Sequence, residues 1–343
     1  MDIKQTIERL CGSGAPSGFE GHAAAAAREL LEPRMDQVWT DRLGNVIGAR
    51  RCGRPGAKKL LLDAHLDEVG MVVTGHKDGF LRFAANGVDM RMLPGRELTI
   101  LTDPPMLGVV ACLPPHVLSM EDREKAPKTE ELLIDVGLSQ EEAERQVPLG
   151  TPVVYKANFL RLGKRQLCSK AMDDRACFVS LLRAAELLSG KELDMDLYIM
   201  GSTREETGGM GAKVVTQALA PDFCVAVDVT HGRTPDSSKD EAFVLGGGPA
   251  VGIGPNMARW MVRRMLDTAA AEEIAVQKEI MERSSGTNGW GMQICNEGVA
   301  TAVLSIPLKY MHTPVETLNK NDIESTARLL AAFAAGLREE DAQ

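Results

Sequence analysis

Four short hydrophobic runs stand out along the chain, and each of them ends on polar residues. They are KKLLLDAHLDEVG (58–70), MDLYIMGSTREE (195–206), DFCVAVDVTHG (222–232) and ATAVLSIPLKYMH (300–312). Continuous apolar runs that are too short for a helix are typical of strands that are buried on both faces of a parallel sheet. These runs therefore predict four strands of one buried sheet.

Helical periodicity dominates the segments between and around these runs. In residues 173–190 apolar side chains recur three or four positions apart, acids stand at the start and Gly190 marks the end. Similar patterns predict helices at 1–12, 21–34, 263–281 and 322–340. Strands that alternate with helices indicate an α/β fold with a mostly parallel sheet flanked by helices.

Residues 69–162 do not follow this alternation. They contain short β-like pieces separated by Gly and Pro, together with the acidic segment TEELLIDVGLSQEEAERQ. This change of pattern predicts a β-rich domain, 69–162, inserted into an α/β domain formed by 1–68 and 163–343.

Composition narrows the class of protein. The 343 residues include 39 basic and 48 acidic ones, which gives a net charge of −9, and only 4% are aromatic. This balance argues against nucleic acid or an anionic membrane as the partner. Seven Cys without a CxxC pair, no apolar signal core in the first residues and no run of about 20 apolar residues predict a soluble cytoplasmic protein.

Possible metal ligands follow the predicted strands. These candidates share a position at a strand's carboxyl end, and they are His65 with Asp67, Glu205 with Glu206, Asp228, and His312. Asp173 and Asp174 begin a helix in the same layer. Because the carboxyl ends of parallel strands line the binding crevice of an open sheet, these side chains can converge there.

Each candidate alone also has an ordinary explanation, such as a core histidine, a turn acid or a solvated acidic pair. In extended chain Asp67 faces the same side as His65, so it can hold the imidazole while the other ring nitrogen binds a metal. The side chains of Glu205 and Glu206 point apart, so one can bind metal while the other faces a bound water. Together the set suits paired Zn²⁺, Co²⁺ or Mn²⁺.

A family resemblance is carried by five segments in a fixed order, namely DAHLDEVG, AMDDRA, TREETGGMGA, VAVDVT and YMHTPVE. The chain resembles the M42 family of dinuclear-metal aminopeptidases, which includes the tetrahedral TET peptidases. The likeness covers essentially the whole chain, including GRELTI, GVVACLPPH and LLIDVG in the insert. It implies a fold like that of the co-catalytic zinc exopeptidases, and dimers formed through the inserted domain that assemble into a dodecamer.

The resemblance also implies roles for the candidates. One metal ion would be held by His65, Asp173 and Asp228, and the other by Asp173, Glu206 and His312. Two divalent ions are expected, Zn²⁺ first, with Co²⁺ or Mn²⁺ as alternatives. Asp67 would orient His65, and Glu205 would be the general base.

Asp174 is expected to cap its helix and to pair with Arg175. Three positions depart from the family pattern: Asn288 replaces the usual Asp, Cys177 a Gly and Lys309 an Arg. None of these is a proposed ligand or base.

The expected function is hydrolysis of N-terminal residues from short peptides. The alternatives are a dinuclear amidase or deacylase acting on N-acyl amino acids, and a degenerate family member without catalysis. Glycoside hydrolysis is not expected, because it needs no dimetal site and the chain lacks aromatic platforms for sugars.

Overall fold

A computed structural model describes residues 1–238 and 241–342 of the chain. The α-helices are α1 (Ile3–Gly12), α2 (Gly21–Leu31), α3 (Gln140–Gln146), α4 (Met172–Leu188), α5 (Met210–Leu219), α6 (Arg259–Ala271), α7 (Gly289–Met292) and α8 (Lys320–Gly336). The strands are β1 (Gln37–Thr40), β2 (Val46–Arg50), β3 (Lys59–His65), β4 (Gly70–Lys77), β5 (Phe80–Asn86), β6 (Glu97–Ile100), β7 (Met106–Ala111), β8 (Leu133–Asp135), β9 (Pro152–Tyr155), β10 (Leu160–Leu162), β11 (Gln166–Ser169), β12 (Asp196–Ser202), β13 (Phe223–His231), β14 (Ala250–Ile253), β15 (Gln277–Ile280), β16 (Ala300–Lys309) and β17 (Glu316–Asn319).

An eleven-stranded sheet forms the centre of the molecule, in the order β1-β2-β12-β3-β13-β16-β17-β11-β10, with β14 joined to β16 and β15 joined to β14. The four predicted strands are β3, β12, β13 and β16, and they lie side by side in parallel. Most of the outer pairs are antiparallel, as in β1–β2 and β10–β11, because short loops join these strands. The prediction of a mostly parallel sheet therefore holds for the centre, and the sheet as a whole is mixed.

Helices cover the central strands and complete an α/β architecture. Helix α4 packs on β3 and β13 and also against α8, while α7 packs on β13 and β16. The strand residues between these layers are almost entirely buried, as in β12, where all seven positions are buried. This burial explains why the strands read as continuous apolar runs instead of alternating ones.

A second, smaller sheet closes into a six-stranded barrel in the order β4-β5-β8-β7-β6-β9. The barrel has its own hydrophobic core, which includes Leu81, Leu98, Ile100 and Ile134 and is separate from the core of the large sheet. All the β-like pieces predicted between 69 and 162 contribute strands to it. The boundaries of the inserted domain stay a prediction.

The predicted helices form, with one correction. The helix predicted at 263–281 ends at Ala271, and Gln277–Ile280 is strand β15 instead. Glu273 adopts a left-handed backbone conformation with φ of 53°, which ends the helical path, and pairing with β14 then supplies the backbone partners. None of the helices in the described ranges combines the length and apolar character that a bilayer crossing requires.

Candidate metal centre

The candidate ligands lie where the central parallel strands end. His65 is the last residue of β3 and stands in register with Ser202 at the end of β12. Glu205 and Glu206 follow β12 within four residues, and Asp228 is the sixth of the nine residues of β13. The fold therefore brings the ends of three apolar runs into one crevice.

Asp173 occupies the middle of this cluster and is 5% exposed. Its Oδ1 lies 3.1 Å from Nε2 of His65, and its Oδ2 lies 3.3 Å from Nε2 of His312. One carboxylate thus turns a different oxygen towards each of two imidazoles, which is the arrangement that a bridging ligand needs.

Two further carboxylates complete the cluster. Oε1 of Glu206 lies 3.4 Å from Nε2 of His312, and Oδ1 of Asp228 lies 4.0 Å from Nε2 of His65. One donor atom each from His65, Asp173 and Glu206 lies within 4.8 Å of the others. Burial and the neighbouring charge of Asp173, opposed by His65, raise the pKa of Asp228 well above its usual value. Burial and neighbouring negative charge make the ionised carboxylates unfavourable unless a cation lies beside them. Together with the imidazole nitrogens, these carboxylates form a donor set that fits divalent cations.

Asp67 fixes the loop that carries the glutamate pair. Its Oδ1 accepts the backbone N–H of Glu205 at 3.0 Å, and its Oδ2 accepts that of Glu206 at 3.1 Å and the hydroxyl of Ser17 at 2.5 Å. Nδ1 of His65 lies 3.2 Å from the backbone oxygen of Asp67 and 3.5 Å from its Oδ1. Asp67 therefore contacts His65 and also accepts the backbone N–H groups of both glutamates.

Glu205 differs from its neighbour because its carboxylate faces no hydrogen-bond donor among the described residues. Burial, opposed by His65 and reinforced by Glu206 and Asp173, raises the pKa of Glu205 to about 7. A carboxyl with a pKa near neutrality can both accept and release a proton under physiological conditions.

Glu316 belongs to the site although sequence reasoning did not single it out. Its Oε2 accepts the backbone N–H of Asp173 at 3.1 Å, and its Oε1 accepts that of His312 at 2.8 Å. The residue ends the quoted segment YMHTPVE, and an acid four positions after a candidate histidine was the available signal.

The predicted pairing of Asp174 with Arg175 is wrong. Oδ2 of Asp174 accepts the backbone N–H of His65 at 3.1 Å, while its Oδ1 is buried without a hydrogen-bond partner in the described part of the chain. One donor atom each of Asp174, His65 and Asp228 lies within 4.8 Å of the others. Asp174 thus belongs to the cluster of candidate ligands and does not pair with Arg175.

Arg175 pairs with Glu68, which also binds Lys170. The guanidinium lies 3.0 Å from Oε1 of Glu68, and Nζ of Lys170 lies 2.8 Å from the same oxygen. All three side chains are at most 3% exposed. Arg175 also donates to the backbone oxygens of Leu66 and Ser13. This buried group ties the segment after β3 to the start of α4, and no local sequence pattern indicated it.

The departures at 288 and 177 find structural explanations. The amide of Asn288 donates to Oδ2 of Asp63 at 2.8 Å and to Oγ of Ser202 at 2.9 Å, so it links β3 to β12. Cys177 is fully buried and donates its thiol to the backbone oxygen of Asp228 at 3.1 Å. Both residues support strands that carry candidate ligands.

Comparison with known proteins yields consistent similarities. A family model described as M42 glutamyl aminopeptidase matches residues 44–329. A lysyl aminopeptidase from Pyrococcus furiosus is 35% identical, over 98% of this chain and 98% of the relative. The structure of aminopeptidase APDkam598 from the archaeon Desulfurococcus kamchatkensis superposes with a TM-score of 0.92 at 32% identity, covering 99% of this chain and 96% of that one. The TET1 peptidase of Pyrococcus horikoshii, which can assemble into a tetrahedron or a large octahedral shell, has a TM-score of 0.86 at 27% identity, with 98% and 100% covered.

Proposed function

The chain belongs to the M42 glutamyl aminopeptidase family, and from this premise we propose that it releases N-terminal residues from short peptides with two divalent metal ions. Membership makes the protein a metal-dependent aminopeptidase, a hydrolase. The proposal adds the number of ions, the residues that hold them and the residue that moves protons. It rests above all on Asp173, whose two carboxylate oxygens face two different histidines.

The ligand assignment is the one that the family resemblance implies, and it is supported by the contacts of Asp173 with both histidines. His65, Asp173 and Asp228 would hold one ion, and Asp173, Glu206 and His312 would hold the other. Mixed imidazole and carboxylate donors favour Zn²⁺ and are compatible with Co²⁺ and Mn²⁺. When bound, the ions supply Lewis acidity, lowering the pKa of water and polarising the peptide carbonyl.

Glu205 is the proposed general base. Its carboxylate lies beside the cluster without a hydrogen-bond donor among the described residues, and burial raises its pKa to about 7. At neutral pH it can therefore take a proton from the attacking water and later give that proton to the leaving amine. Asp67 positions this glutamate by accepting its backbone N–H at 3.0 Å.

The inserted barrel is proposed to build subunit contacts. Apolar side chains stand in solvent on and after β7, including Leu107 at 51%, Leu113 at 65% and Met120 at 78% exposure. An exposed apolar surface of this kind is costly in a monomer and is typical of an interface. Dimers formed here and assembled into a dodecamer would agree with the tetrahedral assembly named for the Pyrococcus horikoshii relative.

Chromogenic substrates test the proposed activity. The metal-loaded protein should hydrolyse aminoacyl p-nitroanilides, lose this activity in a chelator and regain it with Zn²⁺, Co²⁺ or Mn²⁺. N-acetylated versions of the same substrates are the matched control and should resist cleavage, because an aminopeptidase requires a free α-amine. Cleavage of the acetylated substrates alone would contradict the proposal in favour of a deacylase or amidase.

A further inference from the structure

The backbone N–H groups of residues 203–206, in the loop after β12, are each held by a side-chain oxygen from a distant part of the chain. The acceptors are Asn45 for residue 203 at 2.8 Å, Glu20 for residue 204 at 3.1 Å, and Asp67 for residues 205 and 206 at 3.0 and 3.1 Å. A loop whose successive donors are all bound has little freedom to move. The proposed general base, Glu205, is part of this loop.

Glu20 is the acceptor in this row for which neither the metal cluster nor the proposed base provides a role. It precedes α2, but its side chain forms no capping hydrogen bond to that helix. Instead, its Oε1 accepts the backbone N–H of Gly18 at 2.7 Å and that of Arg204 at 3.1 Å. Since Glu20 is only 5% exposed, little water can compete for these bonds. One oxygen atom therefore joins the turn between α1 and α2 to the loop of the proposed base.

Arg204 has a backbone conformation that needs such support. Its φ is 58°, in the left-handed region that is unfavourable for a residue with a Cβ atom. Its N–H is held by Glu20, and its backbone oxygen accepts the N–H of Gly209 at 3.0 Å. Because Arg204 directly precedes Glu205, a change in its backbone angles would move the carboxylate of Glu205.

We propose that Glu20 is a positioning residue for hydrolysis, because its bond to the N–H of Arg204 keeps Glu205 in the place from which it acts as the general base. This inference rests on the proposed function, in which Glu205 moves the proton. Glu20 acts only through the backbone of the loop and is neither a proposed ligand nor the base. A misplacement of about 1 Å caused by a change away from the reacting atoms can cost about 100-fold in rate.

The role of Glu20 requires an acceptor oxygen and not a negative charge. Both of its bonds use the same oxygen, and the carbonyl oxygen of a glutamine can accept two N–H groups in the same way. Burial raises the pKa of Glu20, although the N–H groups of Gly18 and Arg204 oppose this effect, so burial disfavours the charged form. Replacing the carboxylate by an amide should therefore be tolerated.

Three substitutions at this position separate reach from charge. Glu20→Ala removes the oxygen, and Glu20→Asp keeps the charge but shortens the side chain by one methylene. In both, kcat of the metal-loaded protein on aminoacyl p-nitroanilides should fall by about 10- to 100-fold, while KM and metal content stay as in the wild-type protein. Glu20→Gln keeps the oxygen in place and should retain most of the wild-type kcat. Glu29→Ala, an exposed glutamate on α2, is the control and should leave kcat unchanged.

Three results would overturn the proposal. One is a wild-type kcat in Glu20→Ala and Glu20→Asp. Another is an equal loss in Glu20→Gln and Glu20→Asp, because charge and exact size would then matter in place of the acceptor. The third is a loss of metal in proportion to the loss of kcat, which would assign Glu20 to the metal site. Glu20→Asp and Glu20→Gln keep the test decisive if Glu20→Ala fails to fold.

Hydrogen exchange followed by mass spectrometry separates this inference from the proposed function. Exchange in residues 203–208 should be faster in Glu20→Asp than in Glu20→Gln or the wild-type protein, while exchange in β13 should be the same in all three. If this pattern appears but the wild-type protein cleaves no p-nitroanilide, the positioning stands and the proposed activity fails. If the wild-type protein cleaves them and Glu20→Asp changes neither exchange nor kcat, the positioning is wrong and the activity stands.

Discussion

Glu316 accepts the backbone N–H of Asp173 at 3.1 Å, so a buried carboxylate supports the proposed bridging ligand from behind. The other oxygen of the same carboxylate accepts the backbone N–H of His312 at 2.8 Å. Since Glu316 is only 2% exposed, water does not compete for these bonds. One side chain therefore fixes the positions of two proposed ligands.

Glu316→Gln should weaken metal binding without removing a ligand. Glutamine offers one carbonyl oxygen, and its amide NH₂ cannot accept the second backbone N–H. Changes to residues that support ligands typically cost about 10- to 100-fold in metal affinity or activity. Competition with a fluorescent chelator measures the affinity, and excess metal should restore activity. Glu297→Gln, an exposed glutamate, is the control, and equal affinities in the two variants would contradict the assigned role.

His65→Ala and His312→Ala should each lose metal selectively. Each removes one of three proposed protein ligands from one ion, whereas Asp173 still contributes to the other. Metal content should fall from about two ions per subunit towards one in either variant. His22→Ala, at an exposed position on α2, provides the control for loss of a histidine. Unchanged stoichiometry in both variants would show that these histidines are not ligands.

The central strands could be predicted because burial on both faces requires apolar residues at successive positions, which gives a continuous apolar run in the sequence. The sequence indicated only that these strands lie near one another in the sheet, because the polar residues at their carboxyl ends had to converge. It did not give the order of the strands. Closure of the barrel could not be predicted, because it depends on pairing between residues far apart, such as Leu98 with Tyr155. The strand at Gln277–Ile280 was missed for the same reason: its partner β14 is 27 residues earlier in register.

The candidate site was predictable where a residue type and its position both pointed to metal chemistry. His65 and the glutamate pair follow apolar runs, and the structure brings them together. The supporting contacts were not predictable from the local sequence pattern. Arg175 pairs with Glu68, which is more than 100 residues away in the sequence, and not with the adjacent Asp174. Long-range ion pairs of buried side chains leave no periodic signal in the chain.

Glu205 and Glu206 are adjacent and chemically alike but should respond differently to the same substitution. Glu206→Gln should weaken metal affinity and activity together, because Oε1 of Glu206 faces His312 within the cluster. Glu205→Gln should keep its metal and its KM while kcat falls by about 10²- to 10⁴-fold, the usual contribution of a positioned general base. Steady-state kinetics and metal analysis on both variants check this. If Glu205→Gln loses metal and Glu206→Gln stays active, the two roles are exchanged.

Glu68→Gln should destabilise the protein, because it leaves two buried cations without their anion. Lys170 and Arg175 both lie within 3.0 Å of Glu68 and are at most 2% exposed. Breaking a buried ion pair from one side typically costs about 3–5 kcal/mol of unfolding free energy. Urea denaturation of the metal-free proteins measures this. Glu121→Gln, which removes the exposed partner of Lys125, should change stability by at most about 1 kcal/mol.

Acid should reduce the effect of Glu68→Gln, since the contribution of Glu68 requires its charge. Burial alone would raise the pKa of Glu68, but Lys170 and Arg175 outweigh burial and hold that pKa below its ordinary value of 4.5. A carboxyl whose pKa is lower in the folded than in the unfolded protein contributes its full stabilisation when the pH is above the pKa of the unfolded state. That stabilisation is lost as the pH falls below 4.5 through the lower folded value. The difference in unfolding free energy between wild-type protein and variant should therefore be constant near neutral pH and shrink in acid. A difference that grows as the pH falls would mean that Glu68 is not the charged partner of Lys170 and Arg175.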